Sequence, residues 1–113
     1  MEHWLIAFLL TLGVELPVVW LVLRRETSPG RILAACLAAN LMTHPVVWFL
    51  LPRLFSSYLS YLIVAELGAF LAEALVYRAA LRPLSWRMAV SASALANAGS
   101  LGLGLALYRF GWL

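Results

Sequence analysis

The sequence contains no lysine and no aspartate, and charged residues make up only 12% of its 113 positions. Soluble globular domains carry about 25% charged residues. Hydrophobic residues account for 65% of the chain, and the mean hydropathy is +0.95. This composition excludes a soluble globular domain and indicates an integral membrane protein.

The chain has a single cysteine, Cys36, so it cannot form a disulfide within itself. Its basic residues are eight arginines, most of which lie in short segments between apolar runs. Arginines in such segments set membrane topology and contact anionic lipid headgroups. We therefore expect the lipid bilayer as the surrounding partner, and the sequence pI of about 9.6 does not indicate nucleic-acid binding.

Four apolar runs are long enough to cross a membrane, since about 20 apolar residues span the roughly 30 Å of hydrocarbon. The segments between these runs are short, so consecutive helices must be antiparallel neighbours. We predict an all-α membrane protein, a four-transmembrane-helix antiparallel bundle that forms a single domain over residues 1–113. The predicted spans cover residues 4–23, 32–51, 58–81 and 84–107.

Arginine is concentrated in the loop before the second span and around Pro83, between the third and fourth spans. This excess places both loops in the cytoplasm and both termini outside it. We expect the protein in a bacterial inner membrane. Aromatic belts are typical of both membrane interfaces. The outer belt would contain Trp4, Trp48, Tyr58, Tyr61, Tyr108 and Trp112, and the inner belt Trp20, Tyr77 and Trp86.

Three of the five glutamates, Glu15, Glu66 and Glu73, fall inside the predicted spans. Glu66 and Glu73 are seven residues apart, which places them on one helix face about 10 Å apart. An ionisable residue near the bilayer centre costs roughly 2.5 to 3.5 kcal/mol on insertion scales, so such residues indicate function by default. The structural alternative is a protonated glutamate that only joins neighbouring helices by hydrogen bonds.

The second span carries Asn40, Thr43 and His44 on one helix face. Pro45 follows directly, removes one backbone donor and crowds the carbonyl of Leu41, which predicts a bend. A freed carbonyl is costly in lipid, and the Thr43 hydroxyl is a candidate to satisfy it.

The fourth span has its own polar stripe, which includes Asn97 and Ser100. Because each span has one polar face, we expect the four faces to converge inside the bundle. This arrangement predicts one site for an ion or another small cation. Its candidate residues are Glu15, Asn40, Thr43, His44, Glu66, Glu73, Asn97 and Ser100.

Carboxylates without basic partners either stay protonated or hold a cation. His44 with Glu15 and Glu66 could coordinate a divalent metal ion such as Zn²⁺ or Mn²⁺. This metal ion is the only cofactor that the sequence suggests. The same groups could pass protons or bind an organic cation. No H-x-x-x-H or C-x-x-C spacing singles out the metal.

The sequence gives no convincing internal repeat. Only a Pro-Val-Val-Trp segment recurs, at residues 17–20 and 45–48, with a polar residue two positions before each proline. Successive spans broken at a similar place are typical of discontinuous transporter helices. Four matching residues are also compatible with chance.

Glu15 in the first of four short spans resembles the arrangement in the small multidrug-resistance exporters. The resemblance is one of architecture, because Leu16 and Pro17 stand where that family has Thr-Leu-Lys, and its glycine-rich third helix is missing. A set of residues across all four spans is similar to a group of small uncharacterised bacterial four-span membrane proteins, a resemblance that implies no particular activity. The set is Glu15-Leu16-Pro17, Asn40-x-x-Thr43-His44-Pro45, Glu66, Glu73-x-x-x-Tyr77 and Asn97-x-x-Ser100 with Gly104.

These observations favour a small membrane transporter or channel that moves a cation or protons through a polar core. Four helices make a thin pathway, so we expect a homo-oligomer. The alternative is a non-transporting accessory or assembly subunit of a larger membrane complex, whose polar stripes would meet partner helices. An intramembrane enzyme has less support, because the chain has no serine in a nucleophile turn and no paired histidines. We therefore expect no enzymatic activity.

Overall fold

The computed structural model describes residues 2–111, so Trp112, which the sequence assigns to the outer belt, lies outside the described residues. Within this range the chain forms long α-helices and no strand. The helices are α1 (Glu2–Leu23), α2 (Pro29–Pro45), α3 (Tyr58–Ala80) and α4 (Trp86–Arg109). The predicted all-α four-helix bundle is confirmed.

Serine caps define where three of the helices begin. The side chains of Ser28, Ser57 and Ser85 each accept a hydrogen bond from the backbone N–H three residues ahead, at 3.2 to 3.4 Å. The second helix therefore begins at Pro29, earlier than residue 32, because Ser28 is the cap and proline suits the first helical position. The fourth helix begins at Trp86, later than residue 84, because Ser85 is its cap.

The second helix changes its winding directly after Pro45. Residues Val46–Leu50 form a π-helical segment, and Leu51–Arg53 form a turn of 3₁₀ helix that completes the span. The predicted partner of the Thr43 hydroxyl is wrong, since Thr43 Oγ1 donates to the carbonyl of Ala39 at 3.0 Å. A helical threonine reaches the carbonyl four residues before it, whereas Leu41 lies on another side of the helix.

The four helices form a ring in which α1 and α3 each pack between α2 and α4. All four are long and apolar enough to cross a membrane. Large apolar side chains, among them Leu9, Leu21, Leu67 and Leu95, are exposed on the outer surface of the bundle. A soluble protein does not expose so large an apolar surface, whereas lipid solvates it well. Helix length and outer surface together define an integral membrane protein.

The two ends of the bundle differ in how tightly they pack. The end with the α1–α2 and α3–α4 connections, called here the closed end, contains the main buried cluster. Tyr77 is completely buried in this cluster, so its assignment to the inner aromatic belt is wrong: the ring faces the neighbouring helices and not the lipid. Alanines on α2 and α4 let the helices approach closely there. They are Ala35, Ala39, Ala89, Ala92 and Ala96.

Arg31 joins the two helical hairpins at the closed end. Its guanidinium donates hydrogen bonds to the backbone carbonyls of Ala80 at 3.2 Å and Arg82 at 3.4 Å. The carbonyl of Ala80 is in the last turn of α3, where the helix leaves its last acceptors without intrahelical partners, and that of Arg82 is in the loop after it. An arginine near the membrane surface therefore caps α3 and holds α2 beside it.

We expect Ala96→Leu to destabilise the bundle, because Ala96 is completely buried at the closed end and a larger side chain forces the helices apart. Overpacking of this kind costs about 1 to 3 kcal/mol. The matched control is Ala98→Leu on the exposed face of the same helix, which should leave stability nearly unchanged. Reversible unfolding in mixed micelles measures both. Equal stability of the two variants would contradict the close packing of the closed end.

Candidate functional site

Glu15 is buried in the middle of α1 and accepts hydrogen bonds from two other helices. Asn40 of α2 donates to Glu15 Oε1 at 3.3 Å, and Ser100 of α4 donates to Oε2 at 2.8 Å. Only 2% of the Glu15 side chain is exposed. Both carboxyl oxygens therefore have a donor within the protein.

Glu73 of α3 is equally buried but is only half satisfied. Asn97 of α4 donates to Glu73 Oε2, whereas Oε1 has no hydrogen-bond donor among the described residues. Asn97 and Ser100, the donors to Glu73 and Glu15, lie three residues apart on α4, so the two carboxyl groups lie close together.

The two asparagines are held in the same way. Each donates its second N–H to the carbonyl four residues before it, Asn40 to Cys36 and Asn97 to Ser93, both at 2.9 Å. Each amide therefore donates both to a backbone carbonyl of its own helix and to the glutamate of the preceding helix. Each hairpin contains one such glutamate–asparagine unit.

The hairpins α1–α2 and α3–α4 are two copies of one structural pattern. In each, a glutamate on the first helix is followed by its asparagine on the second, 25 residues later in one hairpin and 24 in the other. The serine caps Ser28 and Ser85 also correspond. Five buried residues of α4 each lie 57 positions after a buried residue of α2: Ile32, Ala35, Cys36, Ala39 and Asn40 correspond to Ala89, Ala92, Ser93, Ala96 and Asn97.

This correspondence differs from the recurrence that the sequence shows between the first and second spans. It relates the first hairpin to the second, and α1 and α3 run in the same direction on opposite corners of the ring. The relation is thus an approximate half-turn about the bundle axis, the parallel kind of repeat found in membrane proteins. The signal in the sequence is the recurrence of Ala39-Asn40-x-x-Thr43 as Ala96-Asn97-x-x-Ser100.

One difference between the copies determines the chemistry of the site. Ser100 crosses the hairpin boundary to Glu15, but its counterpart Thr43 donates to Ala39 in its own helix. The contact from Thr43 to Glu73 that the repeat would provide is therefore absent. Glu73 Oε1 is left as an open acceptor for this reason.

The glutamate pair lies at the bottom of a cavity of about 610 Å³ between the four helices. The cavity reaches the surface between the exposed rings of Tyr58 and Tyr108, at the end opposite the closed end. We call this the open end. Beyond the glutamates the packed closed end begins, with Tyr77 and Val19 completely buried. The cavity thus extends from the glutamates toward the open end.

All eight residues predicted for the site line this one cavity. Thr43, His44 and Glu66 lie on its walls, nearer the open end than the glutamate pair. The His44 ring packs edge-on against Phe8 with 5.3 Å between ring centroids, and its Nδ1 is buried without a described partner. The residues are Glu15, Asn40, Thr43, His44, Glu66, Glu73, Asn97 and Ser100. That they bind an ion stays a prediction.

The metal interpretation finds no matching geometry. Among the residues that the structure describes, no group of three or more histidine, cysteine, aspartate or glutamate side chains is arranged to hold a metal ion. His44, Glu15 and Glu66 share the cavity but do not form such a group. That His44, Glu15 and Glu66 bind a divalent metal ion stays a prediction.

The aromatic residues of the open end belong to the site as well. Trp48, Tyr58, Tyr61 and Tyr108 line the cavity, whereas the sequence analysis assigned them only to an interface belt. Tyr58, Tyr61 and Glu73 share one face of α3 at helical spacing, and this signal could have identified two of the rings. No arginine lines the cavity, so its charged groups are carboxyls with one imidazole.

Fold and site together define a class of protein: a small four-helix membrane protein with a glutamate-lined cavity between its helices. Comparisons with protein families, with curated proteins and with solved structures gave no match for this chain.

We expect Asn97→Ala to destabilise the protein by about 1 to 3 kcal/mol, because it removes the donor from a buried carboxyl group. In a Glu73→Ala background the same change should cost less, with a coupling energy of about 0.6 to 1.7 kcal/mol. The crossed pair, Glu73 with Asn40, should show almost none. Double-mutant cycles from unfolding in mixed micelles measure these energies, and equal coupling in both pairs would contradict the assignment of one asparagine to each glutamate.

Proposed function

We propose that this protein is a small membrane transporter that moves a cation through the cavity between its helices. The observation that carries the proposal is the Glu15–Glu73 pair at the bottom of the cavity, directly above the packed closed end. Buried carboxyls attract cations, and no basic residue at their level competes for them. A cation that enters at the open end would meet this pair before the packed closed end.

The hydrogen bonds of the pair favour a binding role over a purely structural one. Glutamates that only join helices gain most when every oxygen is satisfied, since lipid offers no alternative donor. Glu73 Oε1 is completely buried and has no donor among the described residues. A carboxyl group that lines a cavity and keeps one oxygen without a donor is suited to a cationic ligand.

The packing supports a carrier more than an open channel. Tyr77, Leu23 and Leu81 close the bundle below the glutamates and are almost completely buried. Passage would require the closed end to separate, for which two similar hairpins provide natural rigid units. The cavity lies within one chain, so a single copy carries a complete site, and the expected homo-oligomer stays a prediction.

The accessory-subunit interpretation would place polar stripes on the outside of the bundle, where partner helices could meet them. In this structure Glu15, Asn40, Glu73 and Asn97 are buried and hydrogen-bond to one another. The exposed surface of the helices is rich in leucine and other large apolar side chains. The transport proposal accounts for this distribution without a partner, and it assigns no catalytic role to any residue.

We expect flux in proteoliposomes that contain the purified protein, measured with an internal pH dye and a panel of inorganic cations and amines. Glu73→Gln should reduce the flux to that of protein-free liposomes, because it removes the charge of the open acceptor. The matched control is Glu26→Gln in the exposed loop after α1, which removes one carboxylate far from the cavity and should keep wild-type flux.

Two outcomes would contradict the proposal. One is wild-type flux in a correctly folded Glu73→Gln variant. The other is no flux for the folded wild-type protein across the whole panel, which would favour the accessory-subunit interpretation and direct attention to a co-purifying membrane partner.

We further propose that the open end faces away from the cytoplasm, since six of the eight arginines lie near the closed end. A membrane-impermeant maleimide should label Ser56→Cys in intact cells, because this residue is exposed in the loop at the open end. Glu26→Cys, exposed at the closed end, should react only after permeabilisation. The reverse pattern would place both termini in the cytoplasm.

A further inference from the structure

The cavity is much larger than a proton or a bare metal ion requires. Its volume of about 610 Å³ lies in the range of sites for small organic molecules, about 300 to 1,000 Å³. Metal sites instead gather several ligands around one point, and the described residues contain no such group. Size and ligand arrangement therefore favour an organic ligand.

The negative charge in the cavity occurs at two levels. The lower level is the Glu15–Glu73 pair, and the upper level is Glu66 on the same face of α3. Seven residues separate Glu66 from Glu73, a rise of about 10 Å along the helix. Between the two levels, Ala69 gives the cavity wall an apolar surface.

The acceptors match two cationic groups. At the lower level Glu15 and Glu73 line the cavity, and Glu73 Oε1 has no hydrogen-bond donor among the described residues. At the upper level Glu66 adds a further carboxyl group. The rings of Tyr61 and Trp48 lie farther toward the open end, where aromatic faces attract cations that enter.

We infer that the cavity binds a linear aliphatic diamine, with one ammonium group at the Glu15–Glu73 pair, the other at Glu66, and the methylene chain along Ala69. This inference rests on the proposed transport function, for which it names the class of substrate. Each ammonium group donates to a carboxylate, and the chain between them meets apolar wall. A ligand of this kind uses both charged levels at once, which a monoamine cannot do.

The experiment is isothermal titration calorimetry of the full chain in nanodiscs with α,ω-diamines of increasing chain length. Monoamines of the same lengths and magnesium chloride are the comparison ligands. We expect affinity to pass through a maximum at an intermediate diamine length and to exceed that of the matched monoamine by about tenfold, the effect of one additional charge-assisted hydrogen bond. Magnesium should not compete with the best diamine at equal concentration.

The variants separate the two ends of the ligand. Glu66→Gln should remove the advantage of the diamine while monoamine binding persists, and Glu73→Gln should abolish binding of both. Glu26→Gln is the charge-matched control and should bind like wild type. Size-exclusion chromatography and circular dichroism establish that each variant is folded.

A further variant tests the chain path without changing a charge. Ala69→Leu narrows the cavity between the two levels and should weaken diamine binding about tenfold while it spares short monoamines. The matched control Ala79→Leu lies on the exposed surface of the same helix and should have no effect. If either carboxylate variant fails to fold, this pair still decides the question.

The outcomes distinguish this inference from the transport proposal. Affinity that rises steadily with chain length, equally for monoamines and diamines, would reflect partition into lipid and overturn the inference. Cation flux in proteoliposomes without diamine binding would overturn the inference and leave transport standing. Diamine binding without any flux would support the site and overturn transport, and the absence of both would overturn both.

Discussion

A carboxyl group buried inside a membrane bundle must find its hydrogen-bond donors within the protein, because lipid provides none. Here that requirement is met by two asparagines. Asn40 and Asn97 each divide their two N–H donors between a carbonyl of their own helix and the glutamate of the helix before. The bond within the helix fixes the amide, and the bond across helices fixes the register of the hairpin. This glutamate–asparagine interaction occurs once in each hairpin, and the arrangement of the site follows from it.

Repetition of the hairpin explains why the cavity exists. At the closed end the inward-facing positions of α2 and α4 are mostly alanines, so the helices pack closely and leave no cavity. Toward the open end the same stripes continue with Thr43 and Ser100, and the helices enclose a space instead of a core. A half-turn about the bundle axis then brings Glu15 and Glu73 together from opposite corners of the ring. Neither hairpin alone could form this pair.

The sequence predicts the helices and the polar faces well, because both depend on local patterns. The spans follow from apolar length, and the convergence of Glu15, Asn40, Glu73 and Asn97 follows from helical spacing.

The repeat is not evident in the sequence, because the features that the two hairpins share are mostly small buried residues at positions 57 apart, while most of the outward-facing residues differ. The burial of Tyr77 could not be predicted either, since an aromatic residue near a span end occurs at interfaces and in cores alike. Whether Glu73 Oε1 has a donor depends on Thr43. The Thr43 hydroxyl could donate to Ala39 or to Glu73, and only the folded structure shows that it donates to Ala39.

The same contacts indicate how binding could be coupled to movement. The Glu–Asn bonds lie within the hairpins, so a hairpin that moves as a rigid unit keeps both of them. The hydrogen bond from Ser100 to Glu15, by contrast, crosses the boundary between the hairpins. A cation that binds at the Glu15–Glu73 pair would contact both hairpins and so act on this boundary. A ligand shifts a conformational equilibrium only through interactions that differ between the two states, and here such interactions are concentrated where the hairpins would separate.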